Sequence, residues 1–243
     1  ILDLFINISM SAKHQYFYPC KDLTSPEEKR ILQVMADKCM EMSSADAADA
    51  LHEDYQKFIE DYPQDLDELQ TEYFSAWLKQ AQKGIKSDSW QNWSAIHSMT
   101  ITQVASESLL STIQEIVDRY GGDSFRILLS LDDKDALPLH TDPKIGATTN
   151  VNIPLYPDYA FYRPTKFYNS YDENDVLFTV DYKKLRCPSL LNMSKIHNAG
   201  HFDEPTHEHY NGKSVALQIM FMDKFETVKK RFQSNGWLST TPF

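Results

Sequence analysis

Glycine is scarce in this sequence, and its scarcity excludes two large classes of enzyme. Seven glycines occur in 243 residues, well below the usual share of about 7%. The G-x-G-x-x-G fingerprint of dinucleotide-binding folds and the G-x-x-x-x-G-K-[ST] phosphate loop are both missing, so both nucleotide-binding classes are excluded. The G-x-S-x-G motif is missing as well, which disfavours an α/β-hydrolase.

Cysteines and basic clusters are also few. The three cysteines, Cys20, Cys39 and Cys187, are odd in number and show no C-x-x-C spacing, which argues against a disulfide framework and indicates a reducing cytoplasm. The net charge is -11, and the basic run 229–231 is expected on the solvent side of a helix. A nucleic-acid or anionic-membrane partner is therefore not expected.

Long apolar runs are missing too. The opening "ILDLFINISM" is apolar but short, and no basic segment precedes its apolar part. It resembles neither a signal peptide nor a membrane span, and no later stretch is long enough to cross a bilayer. At 42% hydrophobic residues, the chain can bury a substantial core, and we expect a cytoplasmic globular protein.

The first half of the chain has the pattern of helices. Ser25, Pro26 and Glu28 form a capping box with proline at the first helical position, which predicts a helix beginning there. Further helices are predicted over about 45–61, 65–83 and 101–119, and Gly121 is a good residue to end the last of them. We therefore expect a mainly helical region over residues 1–122.

After Gly122 the pattern changes to short runs of β-branched and aromatic residues. Seven runs are separated by Asp, Asn, Pro and Gly turns: "FRILLSL", "LPLHTD", "TNVNIPLY", "AFYRPTKFY", "DVLFTVDY", "PSLLNMSKIH" and "SVALQIMFM". Such a series without intervening helices predicts a β-sandwich or barrel over residues 123–243. The expected fold class is α+β, with the helical region packed on the strands as one compact unit.

A candidate metal site lies within these runs. His140 and Asp142 are two residues apart, so an extended strand would project both side chains to one face. His197 follows a late strand and is placed to meet the earlier one. Two histidines and one carboxylate form the facial triad of non-haem Fe(II) oxygenases, which leaves three adjacent positions open. Taken alone, the H-x-D triplet also fits a surface histidine beside a turn aspartate.

The combination of motifs resembles the Fe(II)/2-oxoglutarate-dependent oxygenases, in particular the aspartyl/asparaginyl hydroxylase-like and phage-type branch. The matching pieces are "RILLSLDDKDALPLHTD", "TNVNIPLYP" and "PSLLNMSKIHNAG…KSVALQIMF", in the family's order, over roughly residues 124–222. The resemblance implies a double-stranded β-helix (jelly-roll) core with His140, Asp142 and His197 as iron ligands. It also implies oxidative decarboxylation of 2-oxoglutarate and hydroxylation of a C–H bond in a peptide side chain or small metabolite.

The anchor of the cosubstrate departs from the family. Where the family commonly carries Arg on the strand after the distal histidine, this sequence has Ser214, with Ala216 two positions later. Lys213, Arg163 and Arg126 are the cationic candidates, and each also fits a solvent-exposed cation. Asn150, Asn152 and Asn192 are expected either to bind the cosubstrate or orient ligands, or to serve as turn and strand-edge residues. No catalytic acid or base beyond the ligands is indicated.

Two other functions remain open on the sequence. His201, His207 and His209 follow the distal histidine closely, and a fourth ligand from among them would indicate a cupin-type metalloenzyme that does not use 2-oxoglutarate. These histidines also fit a loop at the mouth of the barrel. The absent arginine equally allows a non-catalytic β-barrel binding module with a vestigial metal site.

Overall fold

The computed structural model describes residues 15–41, 93–97, 107–130, 139–142, 148–156, 158–159, 162–199 and 214–239. The predicted helices over 45–61 and 65–83 lie outside these residues, as do Lys213, His201, His207 and His209.

Nine strands and four helices are described. In chain order they are β1 (Phe17–Pro19), α1 (Pro26–Glu41), β2 (Trp93–His97), α2 (Glu107–Tyr120), β3 (Ser124–Ser130), β4 (Thr149–Tyr156), β5 (Thr165–Tyr168), β6 (Val176–Val180), α3 (Tyr182–Leu185), β7 (Ser189–Asn192), β8 (His197–Ala199), β9 (Ser214–Phe221) and α4 (Phe225–Ser234).

The strands form two antiparallel sheets. The large sheet has six strands in the order β1-β7-β4-β9-β3-β2, and the small sheet has three in the order β6-β5-β8. An isolated antiparallel bridge between His140 and His197 extends the small sheet beyond β8. Helices and antiparallel sheets together confirm the predicted α+β class, while the described strands do not form a closed barrel.

The two faces of the large sheet differ in chemistry because residues alternate along each strand. The outer face is aliphatic and packs on α1, α2 and α4; it carries Ile127, Val151, Ile153, Val215, Leu217 and Ile219. The inner face is largely polar and turns towards the small sheet; it carries Arg126, Asn150, Asn152, Ser189 and Gln218. Apolar side chains from both sheets, including Leu191 and Phe167, pack together between them.

The helix ends follow the capping rules. The Ser25 amide donates to Glu28 Oε2 at 2.6 Å and the Glu28 amide donates to Ser25 Oγ at 3.2 Å, which confirms the predicted capping box. Arg119 of α2 donates to both oxygens of Glu28, at 2.6 and 2.8 Å, and so joins α2 to the start of α1. Gly121 follows α2 with a φ of 66°, the left-handed conformation that its predicted role requires.

Several strand predictions are confirmed closely, and two strands were not predicted. "TNVNIPLY" is β4 over its full length, and β9 begins at the predicted residue Ser214. β1 and β2, however, come from the half predicted as helical and lie at the two edges of the large sheet. No helix in the described part of the chain combines the length and apolar character needed to span a membrane.

Candidate metal centre

The backbone brings the three predicted metal ligands together. His140 and His197 exchange both backbone hydrogen bonds, with N–O distances of 3.1 and 2.9 Å. In an antiparallel pair, directly opposed residues project to the same face, and the two imidazole centroids are 4.3 Å apart. The Asp142 amide donates to the Met193 carbonyl at 2.9 Å, which holds the carboxylate beside the pair.

One oxygen of Asp142 faces both histidines. Asp142 Oδ1 lies 3.7 Å from His140 Nε2 and 4.0 Å from His197 Nε2. Ligand atoms from all three side chains lie within 4.8 Å of one another. Atoms that bind one metal ion at about 2.1 Å, roughly at right angles, lie about 3 Å apart. Small side-chain rotations would therefore close this group around an ion.

The ring of His197 is held in the form that a metal ligand needs. Its Nδ1 lies 2.8 Å from the Lys195 carbonyl oxygen, and since a carbonyl only accepts, Nδ1 carries the proton. Nε2 therefore presents its lone pair, yet it is buried and makes no hydrogen bond among the described residues. Burial, reinforced by His140 and opposed by Asp142, lowers the pKa of His197 to about 4, so the ring is neutral at physiological pH.

These properties fit a divalent metal ion. A buried nitrogen lone pair without a partner costs free energy, and a metal ion bound by Nε2 would satisfy it. The carbonyl on Nδ1 is the kind of outer partner that orients ligating histidines. Two imidazoles and a carboxylate suit Fe(II) and leave coordination positions open.

Arg126, predicted as a possible cosubstrate anchor, instead contacts a proposed ligand. Its Nη2 lies 3.4 Å from Asp142 Oδ2, and its Nε donates to Gln218 Oε1. The side chain is 18% exposed, so the alternative of a solvent-exposed cation does not describe it. Arg126 is held against the oxygen of Asp142 that does not face the histidines.

The other predicted cosubstrate residues occupy different environments. Ser214 is buried at the start of β9, and Arg163 is 1% exposed just before β5. Asn152 is buried on the inner face, where it bonds Tyr182 and Gln218. Asn192 lies at the end of β7, donates to the Gln15 carbonyl at 2.8 Å and accepts from Ser194 Oγ at 2.6 Å. These contacts fit the predicted alternative of a turn residue.

Asn150 is a buried polar residue of the inner face whose side chain lacks hydrogen-bond partners in the described part of the chain. It lies opposite Leu191 and Met220, is 1% exposed, and neither its Oδ1 nor its Nδ2 has a hydrogen-bond partner among the described residues. Ser189 Oγ, on the neighbouring strand, is in the same condition. Buried unpaired groups of this kind are available to a polar ligand between the two sheets.

Sequence reasoning missed two buried residues that hydrogen-bond to Asn152 on the inner face. Gln218 bridges Arg126 and Asn152, and Tyr182 accepts from Asn152 at 2.9 Å. The signal for Gln218 was present, because it is the one amide in the otherwise apolar stretch from Val215 to Phe221. Tyr182 gave no local signal, since its role depends on a strand 30 residues earlier.

In comparisons with known proteins, the chain matches no family model and no curated protein sequence.

Proposed function

We propose that the protein is a non-haem Fe(II)- and 2-oxoglutarate-dependent oxygenase that hydroxylates a C–H bond of a peptide side chain or small metabolite. The observation that carries the proposal is His197 Nε2, which is buried beside His140 Nε2 and Asp142 Oδ1 and has no hydrogen-bond partner in the described part of the chain. This is the ligand set of the facial triad, whose open positions accept a cosubstrate and dioxygen.

The order of the strands supports the proposed jelly-roll core. From β3 onwards the chain passes repeatedly between the two sheets. The large sheet contains β3, β4, β7 and β9, and the small sheet contains the His140 segment, β5, β6 and β8. Two facing sheets built from eight segments that alternate in this way are what a double-stranded β-helix requires. We propose that fold for residues 123–243.

Each ligand would bind through one atom: Nε2 of His140, Nε2 of His197 and Oδ1 of Asp142. The bound iron would supply the redox chemistry that couples decarboxylation of 2-oxoglutarate to insertion of one oxygen atom into the substrate. The chain's own contribution is to orient the three ligands, to exclude water between the two sheets and to bind the organic groups beside the metal.

Arg163 is the proposed anchor for the far carboxylate of 2-oxoglutarate. It is a cation that is 1% exposed, and a buried guanidinium is well matched to a carboxylate. Of the other cationic candidates, Arg126 is engaged with Asp142 and Lys213 lies outside the described residues. Asn150 and Ser189 supply inner-face polar groups that a bound ligand would satisfy.

The proposal is tested by succinate formation from 2-oxoglutarate with Fe(II), dioxygen and ascorbate, without a prime substrate. We expect slow uncoupled turnover in the wild type and at least a hundredfold loss in Asp142→Asn. Asp37→Asn, which removes an exposed carboxylate of α1 that accepts from Gln33, is the matched control and is expected to keep wild-type turnover. Arg163→Lys is expected to raise the KM for 2-oxoglutarate about tenfold or more.

The two other functions give different results in this assay. A cupin-type enzyme would bind metal in a His140-dependent manner but would form no succinate. A binding module with a vestigial site would show neither property. Turnover that persists in Asp142→Asn would contradict the oxygenase proposal.

A further inference from the structure

A hydrogen-bonded row of polar side chains crosses the inner face of the large sheet and ends at the candidate metal centre. Arg126, Gln218 and Asn152 lie directly opposite one another on the adjacent strands β3, β9 and β4. Gln218 and Asn152 are 3% and 2% exposed. Such groups are costly to bury unless each is hydrogen-bonded. A buried row of hydrogen-bonded polar side chains therefore indicates a structural or functional role.

The direction of each hydrogen bond from Arg126 to Tyr182 follows from the arginine. A guanidinium only donates, so the oxygen of Gln218 must face Arg126 Nε. Gln218 Nε2 then donates to Asn152 Oδ1 at 3.1 Å, and Asn152 Nδ2 donates to Tyr182 Oη at 2.9 Å. Tyr182 Oη also lies 3.5 Å from Thr165 Oγ1, a contact in which either hydroxyl can donate. The amide orientations are thereby fixed without ambiguity.

The row restricts how Arg126 meets Asp142. With Nε held by Gln218, the guanidinium presents Nη2 to Asp142 Oδ2 at 3.4 Å. The other oxygen, Oδ1, is the one that faces the two histidine Nε2 atoms. The two oxygens of one carboxylate therefore have separate partners.

From this geometry we infer that Arg126 is a positioning residue that keeps Asp142 a one-oxygen metal ligand, and that Gln218 keeps Arg126 in place. The inference rests on the proposed metal site. It assigns to Arg126 the task of occupying Oδ2, so that a coordination position which a two-oxygen carboxylate would take stays open. Lysine cannot replace it, because a single ammonium lacks the planar fork that bonds Gln218 and Asp142 together.

The test is a titration of the metal-free protein with Co(II), followed by calorimetry and by the visible absorption of the bound ion. Arg126→Lys keeps the charge and removes the fork. We expect it to bind Co(II) about tenfold more weakly than the wild type, in line with the loss of an outer partner. We also expect a changed Co(II) absorption band, because Asp142 would then bind through both oxygens and alter the coordination number.

Two further variants separate positioning from general stabilisation. Gln218→Met removes the acceptor for Arg126 Nε and leaves both residues of the Arg126–Asp142 ion pair unchanged. It is expected to shift the Co(II) spectrum in the same direction as Arg126→Lys. Tyr182→Phe removes the hydroxyl at the far end of the row, and is expected to lower thermal stability while leaving the Co(II) affinity within about twofold of the wild type. If Arg126→Lys does not fold, Gln218→Met carries the test.

The outcomes distinguish this inference from the metal site beneath it. Co(II) binding that His140→Ala abolishes, with wild-type affinity and spectrum in both Arg126→Lys and Gln218→Met, would overturn the positioning role alone. Co(II) binding that is unaffected by His140→Ala would overturn the metal site and the positioning role together. A Tyr182→Phe spectrum as altered as that of Arg126→Lys would show that the row acts only by holding the fold.

Discussion

Asn150 and Asn152 form a natural matched pair, because they occupy the same face of β4 two residues apart but differ in their hydrogen bonds. Asn152 bonds Gln218 and Tyr182, whereas neither amide atom of Asn150 has a partner among the described residues. Leucine has the same branched shape and number of side-chain heavy atoms as asparagine. Replacing Asn152 with leucine should therefore destabilise the protein, whereas replacing Asn150 should change stability little and remove ligand binding.

The expected magnitudes follow from the two environments. Asn152→Leu leaves Gln218 Nε2 and one bond of Tyr182 Oη unsatisfied, and each buried unsatisfied group costs about 1–3 kcal/mol. Asn150→Leu instead removes an amide that has no hydrogen-bond partner among the described residues, which offsets the strain of the bulkier leucine methyl groups, about 1–3 kcal/mol. We expect Asn152→Leu to be less stable than Asn150→Leu by about 2–4 kcal/mol.

The assay is urea-induced unfolding of both variants and the wild type, followed by tryptophan fluorescence, with the free energy compared at equal m values. The free energy of unfolding of Asn150→Leu should lie within about 1 kcal/mol of the wild-type value. The metal-loaded variant should no longer bind 2-oxoglutarate. Equal destabilisation by the two leucines would refute the reasoning, since it would mean that Asn150 is already satisfied in the ligand-free protein.

Three further predictions concern the ion pair between α1 and α2, the turn after α2 and the metal site. Hydrogen bonds from Arg119 lower the pKa of Glu28 from 4.5 to about 2, so Glu28 adds stability that is full above about pH 4.5 and is lost as the pH falls towards 2. The shift corresponds to about 3 kcal/mol, which screening of the 39% exposed Arg119 side chain reduces to about 1–2 kcal/mol. Urea unfolding should show this loss of stability in Glu28→Gln at pH 7 and little of it at pH 2.5. Glu27→Gln, at an exposed neighbour, should cost under about 0.5 kcal/mol at either pH. A difference between Glu28→Gln and the wild type that does not change with pH would contradict the assignment. Gly122→Ala should lower the thermal midpoint by several degrees, because the new Cβ would meet Ile219 Cγ2, about 1–3 kcal/mol of overpacking; an unchanged midpoint would show that the strand gives way easily. EDTA should lower the thermal midpoint of metal-loaded wild type but not of His140→Ala, and an equal shift in both would place the metal elsewhere.

The local features of this fold were predictable from the sequence. The capping box at Ser25 and Glu28, the left-handed Gly121 and the full extent of β4 all depend on residues within a few positions of one another. The meeting of His140 with Asp142 required only the two-residue period of an extended segment. These predictions are confirmed because short-range backbone preferences decide them.

Other features depend on register between distant strands and were out of reach. Arg126 and Gln218 are 92 residues apart in sequence, and a shift of one residue in the pairing of β3 with β9 would place them on opposite faces. Arg126 was therefore predicted only as one of three cationic candidates for the cosubstrate anchor or as a solvent-exposed cation, and its contact with Asp142 was not predicted. Strand β1, "FYP", is too short to be recognised without the pairing with β7 that holds it.

The most direct test of the account is anaerobic calorimetry of 2-oxoglutarate binding to the wild type with Fe(II), to the metal-free wild type, and to His140→Ala with Fe(II). The proposed site predicts binding of one 2-oxoglutarate to the iron-loaded wild type and binding at least a hundredfold weaker in the other two samples. Equal binding in all three, or no binding to the iron-loaded wild type, would contradict a cosubstrate held at the metal by His140, Asp142 and His197.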